Sequence, residues 1–190
     1  MITLGKITAT NFLGKEKLIF SFPKENGVYA FFGANGTGKS SIFEAVLYAW
    51  KGTTIRESTK ASLTKKGAKE HQVILDFPII DSNGVTIPYT VDRHSKHTHL
   101  YKGVTQISAT QTQKEIDLLL NCNLNTFQNC VYFGQNSTSF IDIPAAYKLQ
   151  FFQDLFQNSE LEKAKELSEE EYKKTELEYN LVFREIEKLK

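Results

Sequence analysis

The stretch Gly33-Ala34-Asn35-Gly36-Thr37-Gly38-Lys39-Ser40 decides how this chain is read. It follows the apolar run Val28-Tyr29-Ala30-Phe31-Phe32 and opens onto Ser41-Ile42-Phe43-Glu44-Ala45-Val46-Leu47, a run of helical character. A strand, a G-x-x-x-x-G-K-[ST] loop and a helix in that order make a phosphate-binding loop in its required context. Gly36 and Gly38 lack a Cβ, so the backbone can bend tightly enough for its N–H groups to wrap the α- and β-phosphates of a nucleotide. The helix beginning near Lys39 adds its positive end. Lys39 is expected to reach the β- and γ-phosphates as a point charge, and the Ser40 hydroxyl to sit on Mg²⁺. The expected ATP-contacting set is therefore Gly33, Ala34, Asn35, Gly36, Thr37, Gly38, Lys39, Ser40 and Ser41.

Upstream, alternating or apolar runs at Ile2–Thr8 and Lys17–Phe22, together with Val28–Phe32, predict three short strands before the loop. Downstream, Trp50-Lys51-Gly52 should stop the loop helix, and residues 53–70 read as a polar, Lys-rich loop. Strands are expected at Gln72–Phe77, Val85–Asp92 and Thr98–Tyr101, with Ser82-Asn83-Gly84 as a turn. These form an antiparallel arm beside the nucleotide half. Helical spacing returns at Gln111–Leu120 and Pro144–Phe156, and between them Cys130-Val131-Tyr132-Phe133 reads as a buried strand ending at Gly134-Gln135.

From Ser159 the composition turns to Glu, Lys and Leu, opened by a capping box of Ser159 and Glu162. Tyr172, Thr175, Tyr179, Val182, Ile186 and Leu189 recur at alternating steps of three and four, a heptad seam. The seam reaches Lys190 with no Gly or Pro stop, so the helix is expected to continue past that residue. The expected division is a lobe over 1–158 and the start of a coiled coil over 159–190.

The 190 residues suffice for a substantial core, and their composition is that of a soluble globular protein. No apolar run approaches the length of a membrane span, and the Met1–Lys6 start is not a signal peptide. Cys122 and Cys130 fit neither a disulfide framework nor a zinc spacing. An intracellular, cytosol-like location is expected. Residues 160–190 hold ten Glu against seven Lys or Arg, leaving sixteen basic and twelve acidic residues before them. A front of net charge +4 permits contact with a phosphate backbone without demanding it.

The order ITATNF, GANGTGKSSIFEAVLYAWKG, SLTKKGAKEHQVILDF, VYFGQNSTSF, IPAAYKLQFFQDLF and then a coil resembles the N-terminal half of an SMC-like DNA-repair ATPase head, of the SbcC and phage recombination endonuclease kind. The resemblance spans nearly the whole chain. It implies an α/β P-loop NTPase fold of the ABC-type head, with a mixed sheet, an antiparallel β arm and an emerging coiled-coil helix. It makes Gln135 the Q-loop residue, completing Mg²⁺ coordination and sensing the γ-phosphate and attacking water, work that suits an uncharged amide with donor and acceptor. It places Thr64, Lys65 and Lys66, and less specifically Arg56, near the base and ribose. It further implies partners: the chain's own C-terminal half, a second head in a homodimer, an SbcD-type nuclease and the DNA backbone, in the cytoplasm or nucleoid, or the host cytoplasm for a viral protein. ATP hydrolysis would be gated by head dimerisation and would regulate DNA-end processing.

The chain also departs from that pattern. Many cellular relatives carry an Arg directly after the NF of the first strands; here that position is Leu13, with Lys15 a possible substitute. No LSGG-type signature motif is present, and the only Walker B candidate, Val73-Ile74-Leu75-Asp76, has Phe77 where a catalytic Glu would stand. In the family the absent motifs lie after the coil returns. The site is then composite, with Lys39, Ser40 and Gln135 facing the signature motif of a second head, and this segment alone is expected to be inactive.

An ATPase of chromosome organisation without a nuclease, and a non-enzymatic coiled-coil adaptor with a vestigial nucleotide site, are the alternatives. His94, His97 and His99 read as a polar hairpin rather than a metal set. Lys60, Lys65, Lys66 and Lys69 suit either a DNA backbone or a solvated loop. Phe12, Phe20, Phe22, Phe31 and Phe32 read as core.

Overall fold

A computed structural model describes residues 1–55, 59–122, 124–134, 140–142, 144–155 and 159–188. The chain divides into two compact units, Met1–Ser137 and Thr138–Lys190.

Alternation of apolar and polar residues builds the first unit's sheet. Strands β1 (Lys6–Phe12), β2 (Lys15–Ser21), β3 (Gln72–Asp76), β6 (Tyr89–His94), β7 (Thr98–Lys102) and β8 (Thr105–Gln106) join in the order β2-β1-β3-β6-β7-β8. Two short strands, β4 (Ile79–Ile80) and β5 (Thr86–Ile87), pair separately. Every pairing among the described residues is antiparallel. Because side chains alternate between faces, Ile7, Ala9, Val73, Leu75, Val91 and Leu100 all turn to one side and are buried.

Helix α1 (Lys39–Lys51) packs on that side against β1, β3 and β6. Ala45, Tyr48 and Ala49, at helical spacing, are its fully covered face. Gly52 ends it in the left-handed conformation, φ 71°, with its N–H donating to the Tyr48 carbonyl at 2.9 Å, as a helix stop should. Arg93 of β6 reaches under this end, donating to the carbonyls of Ala49 at 2.9 Å and Trp50 at 3.4 Å and to Gln113 Oε1 at 2.7 Å. Burial pushes its guanidinium down to about 10, so it stays charged near neutral pH. Helices α2 (Lys60–Leu63), α3 (Thr112–Leu120) and α4 (Leu124–Cys130) complete the unit.

Several sequence expectations need correction: the strand expected at Ile2–Thr8 lies at Lys6–Phe12, and the one expected over Val85–Asp92 divides at Pro88 into β5 and β6, which belong to different sheets. Residues 28–32 join no strand pairing: Phe31 is anchored by its ring against Phe20 at 5.1 Å and Phe43 at 5.0 Å, while Val28 is fully exposed and Phe32 is 91% exposed. A strand requires a neighbour for its ladder, and no described segment lies alongside this one as a partner. Phe32 is thus not core, unlike Phe12, and the parallel component expected of a mixed sheet is carried by no described pairing. The expected strand at 130–133 is also absent, because Leu124, Phe127 and Val131 follow helical spacing and α4 runs to Cys130, with the Val131 and Tyr132 N–H groups bonded back to the Phe127 carbonyl. Phe127 is buried, its ring edge-to-face with Trp50 at 5.5 Å. The polar loop expected over 53–70 carries the short helix α2.

In the second unit, α5 (Ala145–Leu155) and α6 (Ser159–Lys188) follow a 3-10 turn at Phe140–Asp142. The thirty residues of α6 span about 45 Å at 1.5 Å each. Leu167, Tyr172, Leu177 and Tyr179 along it are each more than 60% exposed.

Candidate phosphate-binding site

The loop Gly33–Gly38 enters α1 through a turn that only glycine takes easily. Gly38 is the N-cap residue at φ 107°, ψ 11°, and a Cβ there would stand 3.4 Å from Lys15 Cε and 3.5 Å from Leu18 Cδ1 of β2. No side chain caps the first turn of α1 and no acidic residue occupies it, so its N–H groups and positive end face the loop. Ser40 and Ser41 are the second and third residues of that turn. Lys39 folds back over the loop, its Nζ donating to the carbonyls of Gly33 at 2.7 Å and Ala34 at 2.9 Å. The Thr37 hydroxyl donates to the Ala34 carbonyl at 2.9 Å, bracing the same bend.

These features suit a Mg-nucleotide. A glycine-lined bend, an uncapped helix start, one ammonium group without a carboxylate partner among the described residues and a hydroxyl at Ser40 form the donor set that a polyphosphate and its cation require. An AAA-domain family model, AAA_23, matches residues 6–190. The chain belongs to that AAA-domain family. Among curated relatives, the DNA double-strand break repair Rad50 ATPase of Methanocaldococcus jannaschii is 34% identical over 144 residues, 73% of this chain and 14% of the relative. The Rad50 ATPase of Methanosarcina acetivorans is 29% identical over 174 residues, 86% of this chain and 16% of the relative. The chain therefore spans about one seventh of the length of these relatives.

Among solved structures, the Smc head domain with coiled coil and joint derived from Pyrococcus yayanosii superposes with a TM-score of 0.65 at 22% identity, over 93% of this chain and 36% of that one. A chain from a study of ATP-driven dimerisation and DNA-stimulated activation of SMC ATPases superposes with a TM-score of 0.52 at 19% identity, over 80% of this chain and 98% of that one. The AAA domain thus has the fold of the N-terminal region of an SMC-like, Rad50-type head, the expected α/β P-loop architecture with its antiparallel arm.

The remaining sequence-predicted residues fall as follows. Thr64 ends α2 and bridges Phe12, and the Lys65 N–H donates to the Asn11 carbonyl at 2.8 Å, which ties residues 64–66 to the β1–β2 hairpin. The Thr64 hydroxyl is 2.7 Å from His71 Nδ1, and His71 Nε2 is 2.8 Å from the Tyr48 hydroxyl, so this loop is pinned to α1 through a buried imidazole. Lys65 Nζ pairs with Glu16 Oε2 at 3.0 Å, and Lys66 is exposed. Gln135 and Arg56 lie outside the described residues. Gly134, the residue before Gln135, lies against the Ile55 side chain, which a Cβ there would strike, and the Ile55 N–H donates to Glu44 Oε2 of α1 at 3.0 Å.

Asp76 accepts from the Thr90 hydroxyl at 2.8 Å across the β3–β6 ladder, in keeping with an ordinary strand residue. The histidines form the β6–β7 hairpin, with the His94 and His97 rings stacked at 4.3 Å, and no described His, Cys, Asp and Glu group could hold a metal. The supporting residues Glu44, Tyr48 and His71 escaped the sequence reading. A lone charged residue, Glu44, inside the apolar run Ile42–Leu47 was their only signal in the sequence.

Proposed function

We propose that this segment is the ATP-binding N-terminal half of a Rad50-type head, which hydrolyses ATP once its C-terminal half and a second head complete the site. The observation that carries this reading is the phosphate loop: Gly38 at positive φ, α1 uncapped, and Lys39 held over the loop by the carbonyls of Gly33 and Ala34. In this reading Lys39 grips the β- and γ-phosphates, the first-turn N–H groups of α1 wrap them, and Gln135 orients the attacking water. Ser40 and Gln135 would hold Mg²⁺, which neutralises charge on the β- and γ-oxygens. Thr64, Lys65 and Lys66 would border the base and ribose.

Because electrostatic stabilisation of the transferring phosphoryl group needs donors on both sides, the segment alone turns over little ATP. The exposed Val28 and Phe32 support the same view, since a phosphate loop's strand belongs inside a sheet and these side chains await one. The coiled-coil role of α6 agrees with apolar side chains left uncovered along that helix. On this reading the whole protein acts with a nuclease on DNA ends in double-strand break repair or recombination, with ATP-driven head dimerisation as the gate.

Mixing the chain with a C-terminal segment that carries a signature motif and an Asp-Glu-ended strand tests the proposal. ATP hydrolysis should appear only in the mixture and should vanish with Lys39→Ala. Equal hydrolysis by the mixture and by Lys39→Ala would reject the site, and unchanged repair by full-length Lys39→Ala would favour the adaptor alternative.

A further inference from the structure

We propose that His71 is a positioning residue for the base side of the ATP site, clamping the Thr64–Lys66 segment to the helix that meets the phosphates. The role rests on reading Gly33–Ser41 as the phosphate end of that site and residues 64–66 as its base and ribose end. His71 stands immediately before β3, is buried, and accepts at its carbonyl from the Ser95 N–H at 3.1 Å. Its imidazole is therefore carried by the sheet and not by the loop it touches. The ring lies against Phe12 of β1 at 5.7 Å and Tyr48 of α1 at 5.1 Å, surroundings that an apolar side chain would suit as well.

A buried imidazole needs polar partners, and this one takes them from two separate elements. The Tyr48 hydroxyl donates to the His94 carbonyl at 3.3 Å, which leaves its oxygen to accept from Nε2–H at 2.8 Å. Nδ1, 2.7 Å from the Thr64 hydroxyl, is then the acceptor of that second bond. Thr64 and His71 are seven residues apart, so their bond closes the neck of the loop that carries Lys65 and Lys66. Inside the loop the Ala68 N–H donates to the Lys65 carbonyl at 2.9 Å, and Gly67 turns the chain at φ 89°.

On its other flank the same segment is bonded to the β1–β2 hairpin: the Leu63 carbonyl accepts from the Leu13 N–H and the Lys65 N–H donates to the Asn11 carbonyl, each at 2.8 Å. Those bonds tie it to the hairpin; the imidazole ties it to α1. Tyr48 lies eight residues past Ser40 on that helix, about 12 Å along its axis. Both ends of a bound nucleotide are then referenced to one rigid element, and a loop already fixed loses less freedom when base and ribose settle on it.

Calorimetric titration of Mg-ATP and of Mg-tripolyphosphate into the full 190-residue chain separates the two ends of the site, because tripolyphosphate lacks base and ribose. The parent should prefer ATP. His71→Phe keeps a ring without its nitrogens, and Thr64→Val, at a half-buried position, removes the hydroxyl at the other end of the same bond. Each should lower ATP affinity about fivefold and leave tripolyphosphate within about twofold of the parent. The double variant should bind no more weakly than either single one, since all three lose one bond. His71→Asn keeps an amide near the place of Nδ1 and should stay within about twofold of the parent for ATP, although its smaller side chain lowers the melting temperature. If His71→Phe and Thr64→Val keep the full ATP preference and lose only thermal stability, the imidazole is structural and the proposal is overturned. Equal weakening of both ligands, additive losses in the double variant, or a His71→Asn defect as large as that of His71→Phe would overturn it too. Lys39→Ala marks the other level of failure: if it binds both ligands like the parent, or the parent binds neither, the phosphate site itself falls. A parent that holds tripolyphosphate as tightly as ATP removes the base end, and the role of His71 with it, while the phosphate site stands.

Discussion

Lys39 makes its described hydrogen bonds to the carbonyls of Gly33 and Ala34 at the surface of the molecule. Such bonds contribute little to folding, whereas the same ammonium on a polyphosphate is a charge-assisted contact. Lys39→Ala should therefore lower ATP affinity at least about tenfold while the melting temperature moves by no more than about 3 °C, as titration and thermal unfolding of one sample would show. Tyr48 behaves oppositely. Its hydroxyl is buried between His71 Nε2 at 2.8 Å and the His94 carbonyl at 3.3 Å, and burial raises its pKa above 10, partly offset by the Arg93 charge. The unfolded phenol ionises first as pH climbs past 10, so the unfolded state is favoured and stability falls with rising pH there. Tyr48→Phe should be less stable than the parent by about 1 to 2 kcal/mol at pH 7, because His71 loses a partner, yet its melting temperature should decline less steeply between about pH 9 and 11.

The loop helix is an element held at both ends by other elements. Its start meets the β1–β2 hairpin at Gly38, and its last carbonyls are gathered by Arg93 of β6 and by Gln113 of α3, which donates to the Trp50 carbonyl at 3.1 Å. Arg93→Leu would strand the Ala49 carbonyl and remove the Gln113 Oε1 contact, so urea unfolding should show a loss of about 2 to 4 kcal/mol. How legible each element was follows from the same physics. β3 and β7 were readable because one face is buried and the other polar, which prints a two-residue period on the sequence, whereas the expected Val85–Asp92 run merged β5 with the start of β6 across Pro88; α1 was readable from its glycine boundaries. The apolar runs at 28–32 and 130–133 carry no such period, and a short apolar run fits a buried strand or a buried helix end equally. The second proved to be the end of α4, set by Phe127 under Trp50. Within the site the phosphate loop was explicit as a local motif, while the Thr64–His71–Tyr48 chain and the position of Lys15 against Gly36 depend on residues brought together from distant parts of the sequence.

For the molecule as a whole, the segment before the phosphate loop carries the sharpest conflict between sequence and surroundings. Phe31 turns inward onto Phe20 and Phe43, yet Val28 and Phe32 face outward, and Val131 and Phe133 are 60% and 75% exposed near the end of the same unit. Fully burying a side chain such as Phe or Val is worth about 1.5 to 3 kcal/mol, so leaving them uncovered is a standing drive toward association. If a C-terminal half completes the sheet here, Phe32→Asp should leave the melting temperature of the chain alone within about 3 °C, because an exposed side chain holds little of its fold. The same substitution should abolish ATP hydrolysis in the mixture with the C-terminal half, by blocking assembly rather than chemistry. Size-exclusion chromatography separates those causes: Phe32→Asp should elute apart from the C-terminal segment, while Lys39→Ala should co-elute with it and remain inactive. Co-elution of Phe32→Asp with full hydrolysis would mean that the segment 28–32 is not the joining edge, and the drive supplied by its apolar side chains would then have to be satisfied by another surface.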